Sequence, residues 1–332
     1  MKKHLCLLLA VFLALPLFCS CEKNVYPLSS TEFMMDTVIT VTVYDGEADA
    51  LDSAMTLCKQ YENLFSRTIE TSDIARINNS NGAPVTVDPE TAELLKIALD
   101  IAEKSDGAFD PTVLPLVELW NVTKSTAPPE QNLITEGLKS VGYKSIHING
   151  DTVTAKNGVK LDLGGIAKGY ITDKVVENLK QKKVTSAIIN LGGNLYLLGD
   201  KKGEPFSVGI QKPFGKQDEH SAVLMLKNKT AVTSGVYQRY FRHDGQLYHH
   251  IIDPKTGHPS DSGLYAVTVI ADSSSLADGL STACLILGPE KATALAKEYN
   301  VELIMITSDN QLITTDGIKY DTKNGETVLN LK

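Results

Sequence analysis

Leu161-Asp162-Leu163-Gly164-Gly165-Ile166-Ala167-Lys168-Gly169-Tyr170 combines a strand end, a turn and a helix start. Val159 to Leu163 reads as a short β-branched strand, and Gly165–Lys182 as an apolar-periodic helix. Two glycines between them let the backbone approach a ligand closely, because no Cβ stands in the way. A helix that opens there presents N–H groups and a positive dipole end, which suit an anion such as phosphate. Asp162 precedes the turn and Lys168 lies about one helical turn beyond it. The same pattern also fits a structural turn with a solvated lysine.

Outward from this turn the chain mixes helices and strands without a regular βαβ rhythm. Residues 35–44 alternate and are β-branched, hence a strand. Residues 48–65 read as an amphipathic helix, Val85 to Val87 as a short strand, and Pro89 opens a helix through Glu103. Tyr143 to Leu163 looks like a strand pair turned at Asn149-Gly150. Strands follow around Ile188, Leu195, Val208, Leu224, Val232, Tyr240, Tyr248 and Val267. Helices come next, near Leu276–Leu287 and Glu290–Tyr299, then two short strands near Leu303 and Leu312. The expected class is α+β, with mixed or antiparallel sheets and packed helices.

The first residues concern location. A basic start, Lys2-Lys3, precedes an apolar run from Leu5 to Phe18, too short for a comfortable bilayer span. The run ends Leu17-Phe18-Cys19-Ser20-Cys21, a small residue before a cysteine, as in a lipoprotein signal. The expectation is a signal peptide over 1–20, a lipidated Cys21 with a polar tether to residue 32, and a folded domain over 33–332. The protein would then sit in the cell envelope, held to a membrane by lipid and facing the periplasm or exterior. Loss of 1–20 removes two lysines and no acid, so the formal charge moves from −8 to −10. That acidity argues against nucleic acid and against broad docking on anionic lipid. Cys58 and Cys284 remain in the body, in apolar helical patterns, and read as buried thiols.

Three further segments carry chemistry. His250-Ile251-Ile252-Asp253-Pro254-Lys255-Thr256-Gly257 ends a strand in a turn, where His250 can exchange a proton near neutral pH and His249 faces the other side. Asp278 and Thr282 are four apart on one helix face, a carboxylate and a hydroxyl that suit a hard cation such as Mg2+. Gly107-Ala108-Phe109-Asp110 sets an aromatic beside an acid, as for a nucleoside, although taken alone the segment fits a packed loop with Asp110 bracing a turn before Pro111 better. Together these segments describe a site for a metal-bound dinucleotide whose pyrophosphate is attacked. Asn190-Leu191-Gly192-Gly193-Asn194 is open between a structural bulge and a ligand role.

The ordered set Met35-x-Thr37, 107–110, 162–170, 190–194, 250–257 and 277–283 strongly resembles the ApbE family of FAD:protein FMN transferases, over about residues 33 to 315. The resemblance implies an α+β fold that binds FAD and Mg2+, cleaves the pyrophosphate, releases AMP and links FMN to a Thr or Ser hydroxyl. The acceptor it implies is a flavin-bearing subunit of a membrane redox complex. It matches Met35, Ala108, Phe109, Asp110, Asp162, Lys168 and Ile252 to FAD contacts. Gly165 (through its carbonyl), Asp278 and Thr282 match the metal ligands, with Ser281 beside them. His250 matches the motif histidine and is read as the base for the acceptor hydroxyl. Two positions depart from the pattern: Asp36 stands where the family usually has glycine, and Thr68 where many members place an aromatic or Asn against the adenine. That second position bears on whether FMN is transferred or released by water. FAD hydrolysis to FMN and AMP, and FAD binding without turnover, are the alternative readings.

Overall fold

The structure, a computed structural model, describes residues 26–216, 218–323 and 325–332. The segment read as a signal peptide, and Cys21, lie outside the described residues. Eight strands build one antiparallel sheet in the order Leu28–Met34, Thr37–Val43, Ala187–Leu191, Asn194–Leu198, Lys229–Gly235, Leu264–Ala271, Glu302–Thr307, Leu312–Thr314.

Alternation in these strands decides the layers. Val267, Val269 and Ala271 point into a large core shared with helices Ala50–Phe65, Pro89–Lys104, Ala167–Gln181 and Ser274–Leu287. Ala266 and Ile270 point the other way and pack with Phe206, Ile210, Leu224 and Leu329. Those last residues belong to a four-stranded sheet ordered Ile318–Lys323, Glu326–Leu331, His220–Leu226, Phe206–Gln211, with its middle pair parallel. The result is helices, sheet and sheet in three layers, an α+β fold. Among the described residues no helix is long and apolar enough to cross a membrane. Cys58 and Cys284 are buried free thiols, each pushed up to about 12 by burial.

Several boundaries differ from the sequence reading. Residues 28–32, read as tether, are instead part of the sheet's edge strand, because each pairs with a residue of 39–43. Their polarity follows from the edge position, where one face and one side stay wet. Met35 lies in a turn and not in a strand. Val159–Leu163 is extended but joins no ladder beyond a single bridge of Lys160 to Val113. The following helix starts at Ala167, after a turn over Gly164–Ile166.

Two hairpin tips meet at one end of the large sheet. Met35 and Asp36 both have positive φ, +53° and +55°, in a two-residue connection between Met34 and Thr37. Gly192 and Gly193 make the same kind of tip between Leu191 and Asn194. A Cβ on Gly192 would stand 2.5 Å from Thr37 Oγ1, so glycine is what lets the two tips touch. The left-handed conformation also accounts for glycine or Asp at position 36. Asp36→Gly is expected to hold or slightly raise stability, and Asp36→Val to lower it by about 1–2 kcal/mol. Thermal melts of the two variants check this; equal melting points would refute the turn's role.

Candidate active site

The Gly164-Gly165 turn is built from its own side chain. Asp162 Oδ1 accepts the Gly164 N–H at 2.7 Å, while the Asp162 N–H donates to the Pro111 carbonyl at 2.8 Å. Asp162 Oδ2 lies 3.4 Å from Arg67 Nε, which brings the 66–68 turn against this end of the strand. Thr68 is exposed, its hydroxyl 3.0 Å from Ser66 Oγ. Gly165 is wedged: a Cβ there would meet Phe109 Cε2 at 3.3 Å and Thr282 Oγ1 at 3.5 Å. The motif residues Phe109, Gly165 and Thr282 are therefore in one place.

Lys168 and Asp278 meet across two helices. Lys168 Nζ donates to the Gly164 carbonyl at 2.7 Å and lies 3.4 Å from Asp278 Oδ2. The same Asp278 oxygen accepts the Gly169 N–H at 3.0 Å. One N–H of the helix start, expected to face a ligand, is thus held by Asp278 instead. Asp278 Oδ1 has no protein donor among the described residues, and the side chain is only 6% exposed. The Asp278 helix begins at Ser274, and the register is set by Asp173 of the Lys168 helix. Asp173 accepts from Ser274 N–H at 2.7 Å and Ser275 N–H at 2.9 Å, and from the hydroxyls of Ser273 and Ser275. A carboxylate at a helix N-terminus is favoured by the dipole and by the free N–H groups. Sequence reading missed Asp173, although three successive serines at a helix start are a capping signal.

Ser281 is fully buried; its hydroxyl donates to the Asp278 carbonyl at 2.8 Å and lies 2.7 Å from Ser234 Oγ. Ser234 Oγ is also 3.4 Å from Thr282 Oγ1. Ser234 is a second residue the sequence did not single out. Its signal was the strand's alternation, which turns Thr230, Val232 and Ser234 toward the helices.

The remaining candidates are placed by the loops. Asp110 is buried and braces its turn: Oδ1 accepts from Thr112 N–H (2.8 Å) and Oγ1 (2.6 Å), Oδ2 from Tyr143 N–H (2.9 Å). Burial raises its pKa above the usual carboxylate range. Ala108 and Phe109 are buried beside it, their N–H groups donating to Ser105. Ile252 is buried with Trp120 and Phe241 in a small core. Trp120 Nε1 donates to the Gly257 carbonyl at 2.7 Å and anchors the 250–257 loop. The Met35 N–H donates to Glu62 Oε1 at 2.7 Å, which holds the hairpin tip.

His250 is half-buried and is positioned by one carbonyl. Its N–H donates to the Arg239 carbonyl at 3.2 Å, and Nδ1 lies 3.2 Å from the same oxygen. A carbonyl only accepts, so Nδ1 carries the hydrogen and Nε2 keeps a lone pair. Burial, then the Arg239 charge, bring the imidazole down to about 4; His249 and Lys168 add to the fall. His249 itself is buried, with Nε2 2.9 Å from the Ser260 carbonyl. The folded chain takes no proton on His250 until about pH 4, while the unfolded chain takes one near 6.5. Stability is therefore expected to fall as pH drops through that window, and His250→Gln to flatten the fall. Denaturant melts at pH 7 and pH 5 decide it: an identical pH loss in both proteins would refute a neutral ring in the folded chain.

A cavity of about 170 Å³ lies beside the glycine tip, between Asn190, Gly193, Thr233, Tyr237 and Gln238. A roomier hollow of about 810 Å³ lies at the opposite end of the same strands, near Tyr26, Tyr44 and Asp200, and holds none of the candidate residues.

Comparison with known proteins adds the following. The ApbE family profile matches residues 35–305. The FAD:protein FMN transferase of Treponema pallidum (strain Nichols) is 35% identical over 325 residues, covering 90% of each chain. The crystal structure of the ApbE protein of Thermotoga maritima superposes with a TM-score of 0.81 at 34% identity, over 88% of this chain and 97% of that one. The flavin transferase ApbE of Vibrio cholerae gives 0.79 at 25% identity, over 88% and 97%.

Proposed function

Because the chain belongs to the ApbE family, we propose that it moves FMN from FAD to a hydroxyl of an acceptor protein and releases AMP. The observation that carries this reading is the meeting of Lys168, Asp278 and Thr282 at the Gly164-Gly165 turn. Lys168 is a cation that a diphosphate can pair with, and the free Asp278 carboxylate oxygen with the Thr282 hydroxyl suits the hard cation that would accompany it.

The residues also fit a hard cation. The Gly165 carbonyl, the Asp278 carboxylate and the Thr282 hydroxyl are all oxygen donors, the set that Mg2+ prefers. Of these three donors only Asp278 is charged, and among the described residues no group of three or more His, Cys, Asp or Glu could hold a metal. The rest of the shell would come from water and the substrate's phosphates, so metal and dinucleotide bind together. A bound Mg2+ would neutralise charge on the diphosphate.

The chain's own residues do the rest. Lys168 holds phosphate charge at the turn. Asp162 and Asp173 keep the turn and the two helices in register. His250 Nε2 accepts the proton of the acceptor Thr or Ser hydroxyl as its oxygen bonds to the FMN phosphorus. The bond from that phosphorus to the bridging oxygen breaks, and AMP leaves with the electron pair. A free His250 near pKa 4 is a weak base, but binding of a diphosphate beside it raises its proton affinity.

The acceptor we infer is a flavin-bearing subunit of a membrane redox complex, met at the outer surface where lipid on Cys21 holds the enzyme. Incorporation of labelled fatty acid, lost in Cys21→Ser, tests the anchor. For the reaction, the purified protein is incubated with FAD, Mg2+ and such a subunit. AMP release with covalent flavin on the acceptor in a denaturing gel is expected. AMP without labelling, whatever acceptor is offered, would indicate hydrolysis, and bound FAD with neither product would indicate storage. His250→Ala is expected to slow transfer by about 10²–10⁴-fold with FAD affinity kept. An unchanged rate would remove it from the role of base.

A further inference from the structure

We propose that Arg239 is a second phosphate-binding cation of this site, beside Lys168 in role; the inference rests on the flavin-transfer reading above. Nothing in the sequence singled it out. Its carbonyl accepts both the His250 N–H and Nδ1, so its own backbone is locked to the ring. Its guanidinium reaches toward the Met35-Asp36 tip, where Nη2 is 3.4 Å from the Asp36 carbonyl. Its charge is the largest charged influence on His250, ahead of Lys168. One residue therefore joins the hairpin tip to the ring on which Lys168 also acts.

The guanidinium is exposed, and no carboxylate lies within ion-pair distance of it among the described residues. Arg67 and Arg76 are each paired with an acid, and Arg242, which like Arg239 has none among the described residues, lies over the Phe214 ring. In a chain of formal charge −8, Arg239 stands without an acid beside a half-buried neutral histidine, and its charge is open to an anionic ligand. A diphosphate suits that charge, and a planar fork of N–H donors matches phosphate oxygens better than a lysine does. The distance to the Asp36 carbonyl is long for a hydrogen bond, so little is lost when the fork turns to a ligand.

The test compares FAD with riboflavin, which has the same ring and no phosphate. Binding to wild type, Arg239→Gln and Arg239→Lys is read by flavin fluorescence with Mg2+ present and no acceptor protein. The carbonyl that holds His250 is backbone, so it survives both substitutions and the melting temperature is expected to stay put. Arg239→Gln is expected to weaken FAD by about 10- to 100-fold and leave riboflavin unchanged. Arg239→Lys is expected to recover part of the loss. Unchanged FAD affinity, or an equal loss for both flavins, would overturn the assignment. Wild-type protein that binds FAD no better than riboflavin would instead overturn the diphosphate reading itself, and this inference with it.

Discussion

Asp278→Asn is expected to cut AMP release by about 10³-fold while FAD affinity changes by less than about tenfold. The amide keeps the size of the side chain and can still accept the Gly169 N–H, which Asp278 holds at 3.0 Å. What disappears is the one carboxylate charge placed to face a cation. Oδ1 is left free for a cation: among the described residues the Gly169 N–H and the Lys168 ammonium both go to Oδ2. Asp278→Ala removes the acceptor as well and strands a buried N–H, at a cost of about 1–3 kcal/mol in stability. The two variants therefore separate the charge from the packing. Raising Mg2+ is expected to recover part of the Asn variant's rate and none of the rate lost by unfolding in the Ala variant. AMP release at the wild-type rate from Asp278→Asn would show that this carboxylate holds no metal.

The second large effect is structural and lies one residue from Lys168. A Cβ on Gly169 would stand 2.2 Å from the Ser274 carbonyl oxygen, 2.7 Å from its carbon and 2.8 Å from Asp278 Cβ. Two of those three atoms are backbone of the facing helix, so no side chain can swing aside to make room. Gly169→Ala must push the helices apart, and overpacking of this kind costs about 3 kcal/mol. For a domain of about 300 residues that is about 5 °C in melting temperature. Any displacement also opens the Gly169–Asp278 hydrogen bond and moves Lys168 from the carboxylate. Turnover is therefore expected to fall even well below the melting point, where the chain is still folded. A melting temperature within about 2 °C of wild type would mean that the helix contact is looser than the geometry requires. Gly165 stands on softer ground, since its Cβ would meet a ring edge and a hydroxyl at 3.3 Å and 3.5 Å, both side-chain atoms.

The two variants locate the difference between local and distant information. Strands such as Thr37–Val43 and helices such as Pro89–Lys104 were legible because period and capping are local: Ile39, Val41 and Val43 alternate inward, and Asp88 caps before Pro89. The edge strand Leu28–Met34 was not, since a strand with one wet face and one open side has the composition of a linker. The last two strands, Ile318–Lys323 and Glu326–Leu331, were missed: the first is exposed beyond Ile318 and gives no apolar period, and the second pairs in parallel with the strand His220–Leu226, a partner about 100 residues away. Helices Asp73–Asn78, Leu114–Trp120 and Gln131–Leu138 were too short to show a period.

For the site, sequence alone determined the kinds of groups present: the glycine turn with Asp162 and Lys168, the Asp278/Thr282 face, His250, and their order, which carried the family resemblance. Those are properties of neighbouring residues, and local spacing records them. Only the tertiary structure decided which groups face one another. Asp278 is 109 residues from Gly169 and meets it because glycine lets the helices touch and Asp173 caps the facing one. The same folding turned Asp110 inward to brace its loop, joined the Met35 tip to His250 through Arg239, and took up a helix N–H expected to be free. Contacts across such separations depend on which surfaces pack together, and no short stretch of the chain encodes that.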